Sequence, residues 1–427
     1  MQLAGGVGPA AGRPPVSLPR RGRKYLIAMV GLPARGKTFT ARKLAGYLGW
    51  LGYPTRSFNV GEHRRQVLGP GQSHPFFDPA DREASARREI LAADTLDAAF
   101  AFLRGEGRIA IFDATNGTPA RRRKIQERCA LHDVELLFVE LREDDSEVID
   151  ENIREAKLSS PDYQNVGEQE ARQDFRARIA HYEGVYRTLS DEDPSWIRLE
   201  DRGRTVVIRE ARGWISGKVV SFLSNLQVTK RPVWITRHGE SLFNVSGRIG
   251  GDAPLSSRGR EFAQALAAHV RSQAGTLADL DVWTSTLRRT IETAAPLHRE
   301  IGTWRALDEI DSGVCDGKTY AEIQREMPTE FEARRRDKLR YRYPGGESYE
   351  DVIQRLDRVI VELERYRTPV LVVGHRAVLR ALYAYFIQRP LAEIPHLALP
   401  LHTVIKLTPT AYGCLEERQA LPPHVAE

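Results

Sequence analysis

The stretch Tyr25-Leu26-Ile27-Ala28-Met29-Val30-Gly31-Leu32-Pro33-Ala34-Arg35-Gly36-Lys37-Thr38 decides the fold. Its first six residues are a nearly all-apolar run, expected of a strand covered on both faces. The next eight match GxxxxGK(S/T) in full, a phosphate-binding loop between a strand and a helix. The glycines let backbone N–H groups turn toward phosphate oxygens, and the helix N-terminus adds the positive end of its dipole. Lys37 can neutralise β/γ-phosphate charge, and the Thr38 hydroxyl can ligate Mg²⁺. The spacing predicts a helix over 37–50.

Downstream, strands are expected at 55–59, 108–112, 134–141 and 205–209. Helices are expected at about 80–103, 118–131, 145–156, 168–187 and 213–226. Strand–helix alternation of this kind is the pattern of a doubly wound α/β domain. Asp113 falls at the end of a strand, on the edge where open α/β sheets bind ligands. An acid there can hold Mg²⁺ or accept a proton from an attacking hydroxyl; the plainer alternative is a helix cap. Arg64, Arg65 and Arg88 suit bidentate binding of a phosphorylated acceptor, although each alone also reads as surface.

A second α/β pattern starts after Pro232. Strands are expected at 233–236, 281–284, 370–373 and 403–408, and helices at about 256–273, 287–300, 319–326 and 346–366. The boundary is set near 227–231. Thr236-Arg237-His238-Gly239-Glu240 follows the first of these strands, and Gly374-His375-Arg376 follows the third. If the two strands are neighbours, both imidazoles enter one crevice. A neutral imidazole can attack phosphorus and carry a phosphoryl group. Arg237, Arg289 and His375 can then stabilise the equatorial oxygens, and Glu309 can protonate the leaving oxygen.

Composition narrows the class. The 427 residues are 41% hydrophobic and 28% charged, which suits two or three packed domains and excludes global disorder. No apolar run reaches the ~18 residues of a membrane span. Three cysteines (Cys129, Cys315, Cys414) without ligand spacing argue against a disulfide framework or structural zinc. A net charge of +6 fits nucleic acid, an anionic surface or small anionic substrates. No aromatic-basic platform for nucleic acid is apparent, which weighs against an oligonucleotide kinase/phosphatase. Residues 1–24, rich in Gly, Pro and Arg, read as a disordered tail without the apolar core of a signal peptide.

With both sites in view, the chain resembles the bifunctional 6-phosphofructo-2-kinase/fructose-2,6-bisphosphatase family from about residue 25 to 417. The motifs are 31–38, Phe58-Asn59-Val60-Gly61-Glu62-His63-Arg64-Arg65, 112–116, 159–163, 237–240, Gly247-Arg248-Ile249-Gly250-Gly251-Asp252, 343–349 and Pro400-Leu401-His402-Thr403-Val404. The resemblance implies a kinase domain over 25–230 and a histidine-phosphatase (phosphoglycerate-mutase-like) α/β domain over 231–427. The first would phosphorylate the 2-hydroxyl of fructose 6-phosphate with ATP and Mg²⁺; the second would remove that phosphate through phosphorylated His238.

By resemblance, Lys37, Thr38 and Asp113 take the nucleotide, Mg²⁺ and catalytic positions, with Asn152 and Lys157 on the ATP side. Arg64, Arg88, Thr115, Arg121, Lys157, Arg178 and Tyr182 take the fructose 6-phosphate positions, and Arg65 is grouped with them. Arg237, Asn244, Gly250, Arg289, Tyr320, Arg334, Lys338, Tyr349 and Arg380 match bisphosphate-binding positions, with Glu309 the acid and His375 the transition-state stabiliser. Two positions depart from the family. Glu143 stands where vertebrate enzymes carry a cysteine, and Arg376 replaces a glutamine that contacts the bisphosphate. A homodimer in the cytoplasm, with no nucleic-acid or membrane partner, is the further expectation. The chain ends soon after Tyr412-Gly413-Cys414, so the family's C-terminal regulatory extension is expected to be absent. No arginine-rich sequence precedes Ser17, so control by phosphorylation is not expected.

Overall fold

The computed structural model describes residues 23–159, 161–164, 166–227, 231–273, 279–410 and 413–423; of 155–159 it describes the backbone. The expected tail therefore lies, up to residue 22, outside the described residues. So do residues 228–230 of the expected boundary.

The first half runs β1 (Lys24–Val30), α1 (Lys37–Trp50), β2 (Thr55–Asn59), α2 (Val60–Leu68), α3 (Arg82–Arg104), β3 (Ile109–Asp113), α4 (Pro119–Leu131), β4 (Val134–Arg142), α5 (Ser146–Ser159), α6 (Glu168–Glu183), β5 (Trp196–Glu200), β6 (Thr205–Arg209) and α7 (Trp214–Leu223). The second runs β7 (Val233–Arg237), α8 (Leu242–Val245), α9 (Ser257–Ser272), β8 (Asp281–Thr284), α10 (Arg288–Ala294), β9 (Ile301–Thr303), α11 (Tyr320–Glu326), α12 (Pro328–Arg336), α13 (Tyr349–Arg365), β10 (Val370–Gly374), α14 (Arg376–Ile387), β11 (Thr403–Thr410) and β12 (Gly413–Ala420).

Each half builds a six-stranded sheet, ordered β2-β3-β1-β4-β5-β6 and β12-β11-β7-β10-β8-β9. In the first, only β6 runs antiparallel to its neighbour. Strand β1 shows why its sequence is apolar throughout. Ile27 and Met29 face one hydrophobic cluster while Leu26, Ala28 and Val30 face another, as alternation along a doubly covered strand requires. In the second sheet β7, β10, β8 and β9 are parallel, and β11 and β12 are antiparallel.

One apolar cluster joins the halves: Leu44 and Leu48 of α1, Val219 and Phe222 of α7, Leu356 and Ile360 of α13, and Leu382 of α14 all belong to it. Polar contacts cross the same seam. Tyr47 Oη donates to Asp357 at 2.6 Å, and Trp50 Nε1 donates to the Ala381 carbonyl at 2.8 Å.

Elements that the periodicity did not predict are α2, β5, α8, β9, α12, α14 and β12. The expected helix 287–300 ends early, at Ala294, where Pro296 halts regular α-helix. Helix α14 is buried almost all round, so it lacks the polar stripe that marks a surface helix.

Candidate active sites

The phosphate loop lies between β1 and α1. Gly31 adopts φ 139°, and a Cβ there would stand 2.5 Å from the Leu141 carbonyl oxygen, so only glycine fits. Ala34 and Gly36 have positive φ as well, which curls the loop over the start of α1. Arg35 is buried, donating to the Pro33 carbonyl at 3.0 Å and lying 3.7 Å from Glu183. The Asn152 amide donates to the Ala34 carbonyl at 2.8 Å and supports the loop from α5. Lys37 Nζ donates to the Leu32 carbonyl at 2.6 Å. Burial lowers its pKa to about 8, with Asp113 acting in the opposite direction.

Asp113 meets this loop because β3 pairs with both β1 and β2. Burial pushes its carboxyl up; Lys37 and hydrogen bonds from Thr38 and Asn59 oppose the shift. Asn59 is directly opposite Asp113 in the β2–β3 register. Its Nδ2 donates to Asp113 and stands 3.4 Å from Thr38 Oγ1, while its Oδ1 accepts the Glu62 N–H at 2.8 Å. Thr38 and Asp113 thus bring a hydroxyl and a carboxylate to one corner, with the Asn59 amide nitrogen between them. Sequence reading quoted Asn59 in a motif but gave it no role; the signal was that Asn59 and Asp113 both end strands.

Beside this corner, Arg64 is buried and ion-paired with Asp162, and Arg65 reaches the same carboxylate at 3.4 Å. Arg178 lies over the Phe77 ring at 3.7 Å, with Arg64 5.2 Å from that ring and Tyr182 6.2 Å from it. Burial, then Arg178, lowers the Arg64 pKa, so two cations are held close together. Arg88 is engaged by the Phe76 and Asp78 carbonyls and by Ser85 Oγ. Arg121 is ion-paired with Glu89 at 2.7 Å. The Thr115 carbonyl accepts the Gly31 N–H at 3.0 Å. The Lys157 side chain lies outside the described residues. Glu143 is buried just past β4, where its carboxylate accepts the Asp145 N–H at 3.0 Å and caps the approach to α5.

In the second sheet β7 and β10 are neighbours, with Arg237 opposite Gly374. His238 and His375 therefore emerge side by side, ring centroids 5.1 Å apart and both buried. His238 Nδ1 lies 2.7 Å from the Gly239 carbonyl, an acceptor only, so Nδ1 carries the proton. Nε2 keeps its lone pair and faces Arg289 Nε at 3.2 Å. Burial, then Arg289 and Arg237, holds His238 well below the usual imidazole range. Burial and Arg289 do the same to His375. Both rings are neutral at pH 7.

Glu309 enters the same crevice. Its Oε1 accepts the Ile310 N–H at 2.9 Å and the Ala377 N–H, at the start of α14, at 3.2 Å. Arg355 steadies this segment by donating to the Asp308 and Glu309 carbonyls at 2.7 and 3.2 Å. Arg237 donates to the Leu399 carbonyl at 3.0 Å, and Arg289 to the Gly251 carbonyl at 2.6 Å. Gly250, at φ 71°, has no room for a Cβ, which would overlap Asp316. Asn244 closes a capping box with Ser241 at the start of α8.

Farther along the crevice four cations converge. Lys338 is brought down to about 8 by burial and by the neighbouring charges of Arg334, Arg380 and Arg376. Arg334 donates to the Tyr343 and Tyr320 hydroxyls at 2.7 and 2.8 Å, and Arg380 to the Tyr349 hydroxyl at 3.3 Å. Like charges gathered this way describe a receptor for an anion. Ser285, whose Oγ lies 2.7 Å from His375 Nε2, Thr290, whose Oγ1 lies 2.8 Å from Ser285 Oγ, and Arg355 were missed by sequence reading. Nothing in their spacing marks them.

A family model for 6-phosphofructo-2-kinase matches residues 16–230, and one for the histidine phosphatase superfamily (branch 1) matches 233–420. A 6-phosphofructo-2-kinase/fructose-2,6-bisphosphatase from Gallus gallus is 47% identical over 393 residues, covering 91% of this chain and 83% of its own. One from Arabidopsis thaliana is 45% identical over 427 residues, and the match covers 98% of this chain but 57% of that longer protein. Among solved structures, a mycobacterial glucosyl-3-phosphoglycerate phosphatase aligns over 44% of this chain and 98% of its own, at 28% identity and a TM-score of 0.39. No helix among the described residues is long and apolar enough to cross a membrane. Two family models in tandem, and relatives nearly half identical along most of the chain, establish that it belongs to the bifunctional 6-phosphofructo-2-kinase/fructose-2,6-bisphosphatase family.

Proposed function

We propose that the first half transfers the γ-phosphoryl group of ATP to the 2-hydroxyl of fructose 6-phosphate, and that the second half hydrolyses the resulting 2-phosphate. In the first half the loop 31–38 cradles the ATP phosphates, and Lys37 neutralises their charge. Asn152 keeps the loop in shape on the nucleotide side, with Lys157 assigned there by resemblance. Arg64, Arg65 and Arg178, with Tyr182, bind the sugar phosphate. Thr115, Arg88 and Arg121 complete that subsite only if the two arginines exchange their protein partners for substrate. Asp113 aligns the attacking hydroxyl. The Thr38 hydroxyl and the Asp113 carboxylate fit Mg²⁺ in donor chemistry, since both are hard oxygen ligands. When bound there, Mg²⁺ supplies charge neutralisation between the β- and γ-phosphates.

In the second half, His238 Nε2 attacks the 2-phosphate while Glu309 protonates the departing sugar oxygen. Water then hydrolyses the phosphohistidine. Arg237, Arg289 and His375 hold the phosphoryl oxygens. Arg334, Lys338, Arg376 and Arg380, with Tyr320 and Tyr349, hold the far end of the bisphosphate, near the Asn244 and Gly250 turn. The observation that carries this reading is the His238 ring: Nδ1–H committed to Gly239, and the Nε2 lone pair turned to the Arg289 guanidinium, whose Nε donates to it at 3.2 Å. The working form is proposed to be a cytoplasmic homodimer.

A paired assay on one preparation tests the reading. Fructose 6-phosphate with Mg-ATP should yield fructose 2,6-bisphosphate, and the bisphosphate alone should release phosphate. Absence of both activities overturns it.

A further inference from the structure

Two half-buried histidines that neither reaction uses face each other beside the sugar-phosphate subsite. His74 opens a short helical turn, His74–Phe77, and His181 lies in the last turn of α6. His74 Nδ1 stands 3.3 Å from His181 Nε2, and the rings stack with centroids 5.5 Å apart. The His74 backbone N–H donates to Asp174 at 2.7 Å, and the other Asp174 oxygen accepts the Tyr163 hydroxyl at 2.8 Å. Asp78 Oδ1 lies 3.8 Å from His181 Nδ1, too far for a hydrogen bond but near enough for its charge to act.

The turn that this contact anchors carries one wall of the subsite. Arg178 and Arg64 both lie over the Phe77 ring, and Tyr182, next to His181 in the chain, packs near it. The Phe76 and Asp78 carbonyls hold Arg88. The histidine contact therefore ties the arginine-bearing turn to the helix that supplies Arg178 and Tyr182.

Its protons can be counted. An N–H···N contact needs one donor and one bare nitrogen. With both rings neutral, either facing nitrogen supplies the hydrogen. One added proton is tolerated, because the charged ring donates and the neutral ring accepts. A second turns both facing nitrogens into N–H groups and sets two cations side by side, so the contact breaks. Asp78 and Asp174 favour added protons, whereas Arg88, Arg64 and Arg178 oppose them. Burial pushes the Tyr163 hydroxyl up, so it stays neutral.

We propose that His74 and His181 are positioning residues for the sugar phosphate: their N–H···N contact holds Phe77 and the arginines above it in the binding arrangement, and a second proton releases it. The inference rests on the kinase reading above.

The test measures the kinase KM for fructose 6-phosphate between pH 8 and 5.5 on the full chain. The comparison is wild type against His181→Phe, which keeps a stacked ring and loses its nitrogens. At pH 8 the variant's KM should be about 2- to 10-fold higher, the scale of one hydrogen bond, with kcat and the KM for ATP little changed. The ratio of variant to wild-type KM should fall toward pH 5.5, as the wild type loses the contact too. Taking the ratio cancels the titration of the substrate's own phosphate. Unaltered phosphatase turnover shows that each variant is folded. A ratio of one at pH 8 overturns the proposal, and so does a raised ratio that stays constant to pH 5.5, because ring packing would then hold the turn. Asp78→Asn keeps a side-chain oxygen for the Ala80 N–H and removes the charge beside the pair. Its second proton should need a lower pH, so its KM should match the wild type at pH 8 and be about 2-fold lower at pH 5.5. Equality at both pH values overturns the proposal as well. Wild-type protein that forms no bisphosphate from Mg-ATP refutes the parent reading instead.

Discussion

Lys43, on the helix that follows the phosphate loop, lies 2.8 Å from Glu364, on the helix α13 that packs beneath the phosphatase sheet. Glu364 is buried and Lys43 is half-buried. Tyr385 of α14 also donates to Glu364 at 2.7 Å. Burial alone would push the Glu364 carboxyl up, but Lys43, Tyr385 and Arg231 together hold it below the usual range. The pair therefore sits inside the apolar seam that unites the halves.

Removing Lys43 leaves the buried Glu364 charge with Tyr385 and Arg231 alone, which costs up to about 3–5 kcal/mol, the scale of a broken buried pair. Lys43→Met is accordingly expected to destabilise the whole protein by that amount. Because the core is continuous across the seam, kinase and phosphatase activity should be lost at one urea midpoint. Two separate midpoints in the wild type would refute a shared cooperative unit.

Deleting the His238 imidazole tests the division of labour. His238→Ala should reduce bisphosphate hydrolysis by at least about 10³-fold, as loss of a covalent nucleophile does. It should abolish the acid-labile phosphoenzyme formed from 2-³²P-labelled bisphosphate. Kinase turnover should stay near wild type. Equal loss of both activities in folded protein would contradict the two-site arrangement.

Much of this was legible in the sequence, and the omissions have physical causes. The loop 31–38 is local, so its eight residues carried both the strand–helix junction and its chemistry. His238 and His375 lie far apart in the chain, but each follows an apolar strand, and only the adjacency of β7 and β10 had to be supplied. Strand β5 escaped because Arg198 interrupts its apolar pattern; that arginine pairs with Glu140, a buried acid of β4. Asn59, Ser285 and Arg355 were invisible as functional residues, since each acts through strand register or a carbonyl-lined corner that no spacing rule encodes. Arg64, Arg88 and Arg121, all expected to meet phosphate, are each also held by a protein partner: Asp162, Ser85 and Glu89.

Acid should weaken the fold before it removes the nucleophile. Both catalytic histidines have folded pKa values well below about 6.5, the unfolded value. Between those values the unfolded chain binds protons that the folded chain does not, so stability falls as pH drops below about 6.5. Each such histidine contributes up to about 1.4 kcal/mol per pH unit. His238→Gln should flatten the slope of unfolding free energy between pH 5 and 6.5 by roughly that much. The rate of phosphoenzyme formation should pass through pH 6.5 without an acid limb. An unchanged slope in the variant would show that His238 titrates normally in the folded protein.

At the alkaline end the group to fail in the phosphatase crevice should be Lys338. Its pKa is about 8 because it is buried among Arg334, Arg380 and Arg376. In the free protein it loses its charge as pH rises through 8, whereas those arginines keep theirs. An anion in the site would raise that pKa by supplying the opposite charge, so binding takes up a proton above pH 8. The KM for fructose 2,6-bisphosphate is then expected to climb above pH 8, approaching tenfold per pH unit if only protonated Lys338 binds. Lys338→Met should raise KM at pH 7 by roughly 10- to 100-fold, the scale of a charged hydrogen bond of about 1.5–3 kcal/mol. It should also abolish the climb, because the titrating group is gone while the arginines remain. A wild-type KM that stays flat to pH 9.5 would mean that Lys338 does not contact the substrate, and the anion would then be held by the arginines alone.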